Sequence, residues 1–371
     1  MVQRQTSLSF LLWFLVATPL ANAQSIGDTR PVKGISVNPP QSTALVNARV
    51  VVAPGRTLEN ATVVIESTSI VAVGPDVKSP AGANVIDCSG RTIYAGMIDA
   101  YGEIEVEEPP TGGAGHWNGY VLPRRNAASV AGSSSDPSAY RSAGVTMRLV
   151  APEGGIFKGT SCLIMLDKNR GGTIVNSDVA QHLQLTVPRD EKRDTYPNSP
   201  MGAVALLRQT LLDADWYTRA WKAYRSDTQL PRPAVNEDLA RLASDRLNGR
   251  FIADAPNERM ALRADRLARE FALDLSLRGS GREYRDLDAI VATGRTYLIP
   301  VKFPEPPAVT SEAFAENVPL RDLMHWHFAP ENPRRLSEAG VAFCLTADGL
   351  DDPKSFLKNL RTCVARGLSP E

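Results

Sequence analysis

The feature that most constrains the fold is an alternation of short apolar strands with amphipathic helices, from about residue 93 onward. The clearest strand patterns end in polar, Pro or Gly residues: GVTMRLVAPEGG, GRFIADAP, RTYLIPVKFP and GVAFCLTADG. Between them, NERMALRADRLAREFAL places Met260, Ala264, Leu267 and Phe271 on one face of a helix. Such alternation favours parallel βα units. Residues 93–371 therefore predict a (β/α)8 barrel, typically about 250 residues long, with a doubly wound sheet as the alternative.

The segment before this alternation has a different pattern. ALVNARVVVAPG and ATVVIESTSIVAVGP are β-branched runs that end in the turn pairs Pro54-Gly55 and Gly74-Pro75. Runs of this kind are typical of short antiparallel strands joined by turns. Residues 44–92 are therefore predicted to form a small β-module, and the polar, Pro-containing residues 24–43 an extended leader.

The N-terminus predicts export. Arg4 precedes the apolar run LSFLLWFLVATPL, and the small residues ANA stand just before Gln24. This order is typical of a signal peptide, here residues 1–23. The apolar run is too short for a bilayer span, which needs about 20 residues. We expect a periplasmic or secreted protein with no membrane anchor after cleavage.

Composition excludes several classes of protein. Lys plus Arg equals Asp plus Glu at 41 each in 371 residues, so nothing in the charge points to nucleic acid, and a small molecule is the expected ligand. The four cysteines form no CxxC pair, which favours buried thiols over a structural zinc site or a disulfide framework. The sequence also lacks the G-x-S-x-G, GxxxxGK[ST] and HExxH motifs.

The order of two motifs resembles the amidohydrolase superfamily, and most of all its secreted, imidazolonepropionase-like members. VVVAPGRTLENATVVIESTSIVAVGP is followed by VIDCSGRTIYAGMIDAYGE, and the likeness extends through AGVTMRLVAPEGGIFKGTSCLIML and AGVAFCLTADGLDDPKSFLKNLR. The resemblance implies a β-module before a metal-dependent barrel that hydrolyses non-peptide C–N bonds. It also implies further C-terminal elements that complete the β-module, so we expect the C-terminal end of the barrel region to be missing.

The same resemblance implies two metal-binding histidines where this chain has Tyr101 and Glu103. Side chains two residues apart on a strand point the same way, which is why such a pair can share one ion. Glu103 can offer oxygen to a hard cation, but Tyr101, protonated near neutral pH, is a poor zinc ligand. On the middle strands, Asp254 and residues 279–281 stand where further histidines are implied, although Asp254 could equally cap a helix.

These substitutions predict either no metal or a weakly bound divalent ion, rather than tight zinc. Its oxygen ligands would be Glu103, Asp254 and Asp348. At the end of the apparent eighth strand, Asp348 is where the resemblance implies an acid/base residue, and a turn or helix-start role is the alternative. Glu103 and Asp348 should lie at one mouth, their oxygens within about 12 Å.

Three further residues are predicted to contact substrate: Tyr101, His116 in the Gly-rich GGAGHWNGY, and Lys302 at the end of TYLIPVK. His325 and His327 have the spacing of a metal pair. They lie in a helix-like segment, however, where side chains two residues apart diverge by about 200°. The predicted function is hydrolysis of a non-peptide C–N bond by an exported protein with a degenerate metal site. The alternative is a non-catalytic barrel that binds a small ligand or a protein partner.

Overall fold

The computed structural model describes residues 42–107, 114–131, 137–166, 173–188 and 195–370. The predicted signal peptide and nearly all of the leader lie outside these residues. The described chain divides into two compact units, one of residues 42–52 and 56–93 and the other of residues 53–55 and 94–370. Among the described helices, none combines the length and apolar character needed to cross a bilayer.

The first unit is a β-sheet. Its strands are β1 (Ser42–Ala53), β2 (Arg56–Glu66), β3 (Ser69–Gly74), β4 (Asn84–Asp87) and β5 (Thr92–Ile93). The order is β3-β2-β1-β4, with β2 and β3 antiparallel, whereas β4 and β5 both pair with β1 in parallel. Alternate side chains of the long strands, such as Ala48, Val50, Ala61 and Val63, form the buried core of this unit.

The second unit contains the remaining described strands. They are β6 (Met97–Asp99), β7 (Glu103–Ile104), β8 (Val145–Pro152), β9 (Phe157–Thr160), β10 (Cys162–Met165), β11 (Thr173–Asn176), β12 (Gln181–Gln184), β13 (Phe251–Asp254), β14 (Leu275–Arg278), β15 (Tyr297–Pro300) and β16 (Phe343–Thr346). Strands β12 to β16 pair in parallel in chain order, and β6 and β7 both pair with β8 in parallel.

The described helices of this unit are α1 (Ser138–Ser142), α2 (Pro200–Ser226), α3 (Glu237–Asn248), α4 (Glu258–Phe271), α5 (Leu287–Thr293), α6 (Glu312–Glu316), α7 (Leu320–Phe328), α8 (Asn332–Glu338) and α9 (Phe356–Ala365). Helix α4 shows why the sequence folds as predicted. The Asn257 side chain caps its first turn, and its apolar face, including Leu267 and Phe271, is buried in the same core as Leu277 and Tyr297 of the sheet.

One position of the barrel differs from an all-parallel arrangement. After β8 the chain turns back at Gly154 and Gly155, both at positive φ, and continues without a helix into β9 and β10. Strand β10 pairs with β8 and β9 pairs with β12, both antiparallel. This ribbon joins the two halves of the barrel. The expectation of parallel strands throughout was therefore wrong here, because a tight turn replaces the crossover helix that parallel pairing requires.

The last and first barrel strands are joined by hydrogen bonds to side chains rather than by a described backbone ladder. Thr346 Oγ1 at the end of β16 donates to Asp99 Oδ1 at 2.6 Å, or can donate to the Tyr101 carbonyl oxygen at 3.1 Å. The Ala347 N–H also donates to Asp99 Oδ1, at 3.0 Å. The predicted fold class, an α/β barrel after a β-rich N-terminal module, is confirmed.

Candidate active site at the mouth of the barrel

Charged side chains converge where the parallel strands end. Glu103 begins β7, Asp254 and Arg278 end β13 and β14, and Asp348 follows β16 by two residues. The antiparallel strand β9 adds Lys158. The carboxyl ends of parallel strands share one side of a barrel, so side chains that are distant in sequence meet there. These five residues are called the mouth cluster below.

Lys158 lies at the centre of the mouth cluster, with a side chain only 1% exposed. Its Nζ is 3.0 Å from Asp254 Oδ2 and donates to the Tyr101 hydroxyl at 3.0 Å. It also forms an ion pair with Glu103 Oε1. A buried ammonium is costly unless it is paired and hydrogen-bonded, and these three contacts use its three N–H groups.

Tyr101 supports the cluster from inside the barrel. Its hydroxyl donates to Glu103 Oε1 at 2.8 Å, and the Arg278 guanidinium lies 4.2 Å from the centre of its ring. Burial, and then the negative charge of Asp254, raises the pKa of Tyr101 well above its usual range. The phenol therefore stays protonated and serves as a hydrogen-bond donor.

Arg278 connects the carboxylates of the mouth cluster. Its Nε and Nη2 donate to Asp348 Oδ2 at 2.8 and 2.6 Å, and its Nη1 is 3.4 Å from Glu103 Oε1. Because Glu103 and Asp348 contact one guanidinium, their oxygens lie within the predicted distance of about 12 Å. The same Nη1 is 3.5 Å from Asp254 Oδ1. The Arg278 guanidinium therefore contacts carboxyl groups from three different parts of the barrel mouth.

The two carboxyls at the ends of this network differ in proton affinity. Burial raises the pKa of Asp348 above its usual range, although Arg278 acts in the opposite direction. Burial would also raise the pKa of Glu103, but the positive charges of Lys158 and then Arg278 outweigh it and lower that pKa. Glu103 is thus held as a carboxylate, whereas Asp348 is the better suited of the two to carry a proton.

The residues present do not fit a resident metal ion. The Lys158 ammonium lies between Glu103 and Asp254. The Arg278 guanidinium contacts Glu103 Oε1 and Asp348 Oδ2, so these carboxylate oxygens are already paired with a positive charge. Within the described part of the chain, no group of three His, Cys, Asp or Glu side chains is arranged to hold a metal. The predicted metal ligands therefore do come together, but around two basic side chains.

Of the two other residues predicted to contact substrate, Lys302 lies at the mouth cavity and His116 does not. Lys302 lines the cavity at the mouth, and its Nζ pairs with Asp351 at 2.9 Å. His116 does not line this cavity. Its backbone N–H donates to Asp238 of α3, and its Nδ1 accepts from the Asn118 N–H, so its contacts are those of a residue that fixes a loop. The prediction that His116 contacts substrate is not supported by this position.

Three residues of the site were missed in the sequence: Lys158, His182 and Arg278. Lys158 was the one basic residue in the apolar stretch GGIFKGTSCLI, which is a signal that could have been followed. Arg278 directly precedes residues 279–281, where the resemblance implies a histidine. His182 of β12 is fully buried, and neither ring nitrogen has a hydrogen-bond partner among the described residues. Burial, and then the charge of Lys158, lowers its pKa well below the usual range.

The mouth cluster opens into a cavity of about 500 Å³. A groove of about 600 Å³ between α2 and α4 is larger, but its charged lining is three arginines and the single carboxylate of Glu270, which is paired with Arg208. The mouth cavity is therefore the candidate active site. Its polar lining comprises Glu103, Glu153, Gln184, Thr186, Asp254, Arg278, Ser280, Lys302 and Asp348.

Comparison with known proteins supports the fold. The chain matches no protein-family profile. It also matches no curated protein sequence. Among solved structures it is similar to an amidohydrolase from Thermotoga maritima MSB8, with a TM-score of 0.66 and 16% identity, over 88% of this chain and 84% of that one.

Two further solved structures are less similar. A prolidase complexed with N-methylphosphonate-L-proline gives a TM-score of 0.44 and 16% identity over 86% of this chain and 84% of the other. Ochratoxinase from A. niger gives a TM-score of 0.40 and 14% identity, over 89% of this chain and 81% of the other. Scores this low do not establish a shared fold. The Thermotoga structure does, and the described chain has the fold of an amidohydrolase, as the sequence resemblance predicted.

Proposed function

We propose that this protein binds a small polar molecule rich in N–H groups at the mouth of its barrel, without a tightly held zinc ion. The observation that carries this proposal is the cavity of about 500 Å³ whose carboxylates are positioned by Lys158 and Arg278. Preorganised polar groups in a concave site of this size are typical of small-molecule binding.

The charges of the cavity indicate the kind of ligand. Its lining has four carboxyl groups and two basic groups, those of Arg278 and Lys302. A third basic group, that of Lys158, lies behind the lining and pairs with Asp254. Lys302 is already paired with Asp351 outside the lining. The exposed side chain of Glu153 is the acidic group least engaged by the mouth cluster. An excess of acceptors favours a ligand that donates hydrogen bonds or carries positive charge, such as an amine, amide or urea.

A thermal-shift screen of small amines, amides, ureas and cyclic imides tests this proposal. A ligand at about 100 times its Kd should stabilise the protein by about 2.7 kcal/mol, which gives a clear rise in Tm. Glu153→Gln should reduce the rise, while Glu59→Gln, which removes an exposed carboxylate from the β-module, should not. If no compound of these classes raises Tm, or if both variants respond alike, the proposed site is wrong.

A second candidate is hydrolysis of a non-peptide C–N bond in the bound molecule. It is favoured by Asp348, whose pKa is raised by burial at the mouth of a barrel with an amidohydrolase fold. Asp348 would take a proton from water as the water oxygen bonds to the carbonyl carbon. It would then return that proton to the departing nitrogen, so that a C–O bond replaces the C–N bond.

Mass spectrometry of reaction mixtures separates the two candidates. N-acyl amino acids, lactams and ureas that bind should be incubated with chelator-treated protein and with Asp348→Asn. Hydrolysis by Asp348 predicts products from the wild type and a loss of about 10²-fold or more in the variant. Binding without product would leave the protein as a ligand-binding barrel, and equal turnover by both proteins would remove Asp348 from the chemistry.

We also propose that the protein is exported, from the apolar run and the small residues before Gln24. Expression of the full chain in a bacterial host, followed by intact-mass measurement of the periplasmic fraction, tests this. The expected mass is that of a chain that begins at Gln24. A protein that stays in the cytoplasm with Met1 retained would contradict export.

A further inference from the structure

The groove between α2 and α4, with a volume of about 600 Å³, shares no lining residue with the mouth cavity. Met260 and Leu267 of α4 form an apolar floor that is buried in the same core as the sheet, and Val204 of α2 packs against that core too. Met201, by contrast, is 82% exposed. An unbranched methionine side chain adapts its shape to an apolar ligand, so an exposed one beside an apolar floor indicates a binding surface.

The charged side chains of this groove are mostly basic. Arg208, Arg263 and Arg266 line it together with a single acidic residue, Glu270. Both Nε and Nη2 of Arg208 donate to Glu270 Oε1, at 3.0 and 2.6 Å, so the charges of this pair cancel. In the part of the chain that the structure describes, the Arg263 guanidinium donates only to the Met260 sulfur, and the Arg266 guanidinium has no partner. Two positive charges therefore stand beside the apolar floor without an acidic partner.

The charge and the dimensions of the groove define its ligand. Arg263 and Arg266 are neighbours at i and i+3 on α4, so one carboxylate can pair with both. From Met260 to Glu270 this wall of the groove is about 15 Å long. A stable protein interface uses about 20–30 residues on each partner, whereas ten residues line this groove. It therefore suits a small molecule with one anionic end and one apolar end.

We propose that the groove between α2 and α4 is a second ligand site, which binds a medium-chain alkyl carboxylate. The carboxylate pairs with the guanidiniums of Arg263 and Arg266, in the way that Glu270 already pairs with Arg208. The alkyl chain lies along Met201 and the apolar floor and removes both from water. The mouth cavity, with four carboxyl groups in its lining, disfavours the same anion. The two sites thus select ligands of opposite charge.

Calorimetric titration of the purified protein with decanoate, below its critical micelle concentration, tests the proposal. We expect one decanoate per chain. Decanol has the same chain length but no charge, and it should bind at least about tenfold more weakly. Combining Arg263→Gln with Arg266→Gln should weaken decanoate binding by at least about tenfold as well. Arg259→Gln is the matched control, because Arg259 is an exposed arginine of the same helix that does not line the groove. It should bind decanoate like the wild type.

A blocking variant gives a second test. Ala205→Asp places a carboxylate on the α2 wall of the groove, where it should compete for the arginines and abolish decanoate binding. The substituted positions are all exposed, so the variants should fold as the wild type does.

Three results would overturn the proposal. The first is the absence of saturable decanoate binding to the wild type. The second is equal binding of decanol, or equal weakening by Arg259→Gln and by the double substitution, since either would remove Arg263 and Arg266 from the site. The third is decanoate binding that survives Ala205→Asp, which would place the ligand elsewhere.

Discussion

The contact between the last and first barrel strands depends on Thr346, and Thr346→Val tests this with a side chain of nearly the same shape. The substitution removes a hydrogen bond to the buried Asp99 carboxylate and leaves the Asp348 N–H without its acceptor. A hydrogen bond to a charged group contributes about 1.5–3 kcal/mol, and the second about 1 kcal/mol. We therefore expect a loss of about 2.5–4 kcal/mol, or a fall in Tm of about 4–7 °C for a unit of this size.

Thr210→Val is the matched control for this prediction. Thr210 is also fully buried, but its hydroxyl has no partner among the described residues. Its replacement should leave stability unchanged or slightly increased, because the valine removes an unsatisfied polar group. Differential scanning fluorimetry and urea unfolding of both variants provide the measurement. If Thr346→Val is as stable as the wild type, or if Thr210→Val loses as much, the proposed role of Thr346 in joining the last and first strands is refuted.

Two further predictions concern the interior of the barrel. Gly159 has φ of +110°, and an added Cβ would collide with the Arg125 carbonyl, so Gly159→Ala should cost about 3 kcal/mol in urea unfolding. Gly119→Ala, whose added Cβ meets nothing within 4 Å, should be nearly neutral. The lowered pKa of His182 means that the unfolded chain binds a proton more readily, so stability should fall as pH drops below 6.5. His182→Leu should remove up to about 1.4 kcal/mol per pH unit of that slope, measured as Tm between pH 5 and 8.

A specific result would contradict each of the predictions for Gly159 and His182. Equal losses for the two glycine variants would mean that Gly159 is not held at a strained position. The same pH dependence in wild type and His182→Leu would mean that His182 is not buried as a neutral imidazole.

The fold could be predicted because its strongest signals are local. Strands β13, β15 and β16 are apolar runs bounded by polar or Pro/Gly residues, and α4 has a regular apolar face. Strand β12, with the sequence QHLQ, was not among the predicted strands, because it is short and polar although buried in the barrel. The antiparallel β9 and β10 were also missed, since pairing direction depends on a turn rather than on periodicity.

Part of the site could be predicted for a topological reason. Asp254 and Asp348 follow from the ends of parallel strands, which must meet on one side of a barrel, and Glu103 follows the end of the first of these strands, β6. Lys158 could not be placed from the order of parallel strands, because its strand β9 pairs antiparallel with β12. The roles of the acidic residues also depend on which cation lies between them. Sequence spacing carries no such information, and only the contacts of Lys158 and Arg278 show it.

The central claim is that basic side chains, rather than zinc, hold the mouth of this barrel together. Elemental analysis of wild-type protein from zinc-supplemented medium tests it most directly. The phenol of Tyr101 and the carboxylate of Glu103 are not the ligands that zinc prefers, and the Lys158 ammonium already pairs with Glu103 and Asp254. We expect well under one zinc atom per chain. Stoichiometric zinc that is lost on Asp348→Ala would contradict the claim and would indicate a metal-dependent hydrolase.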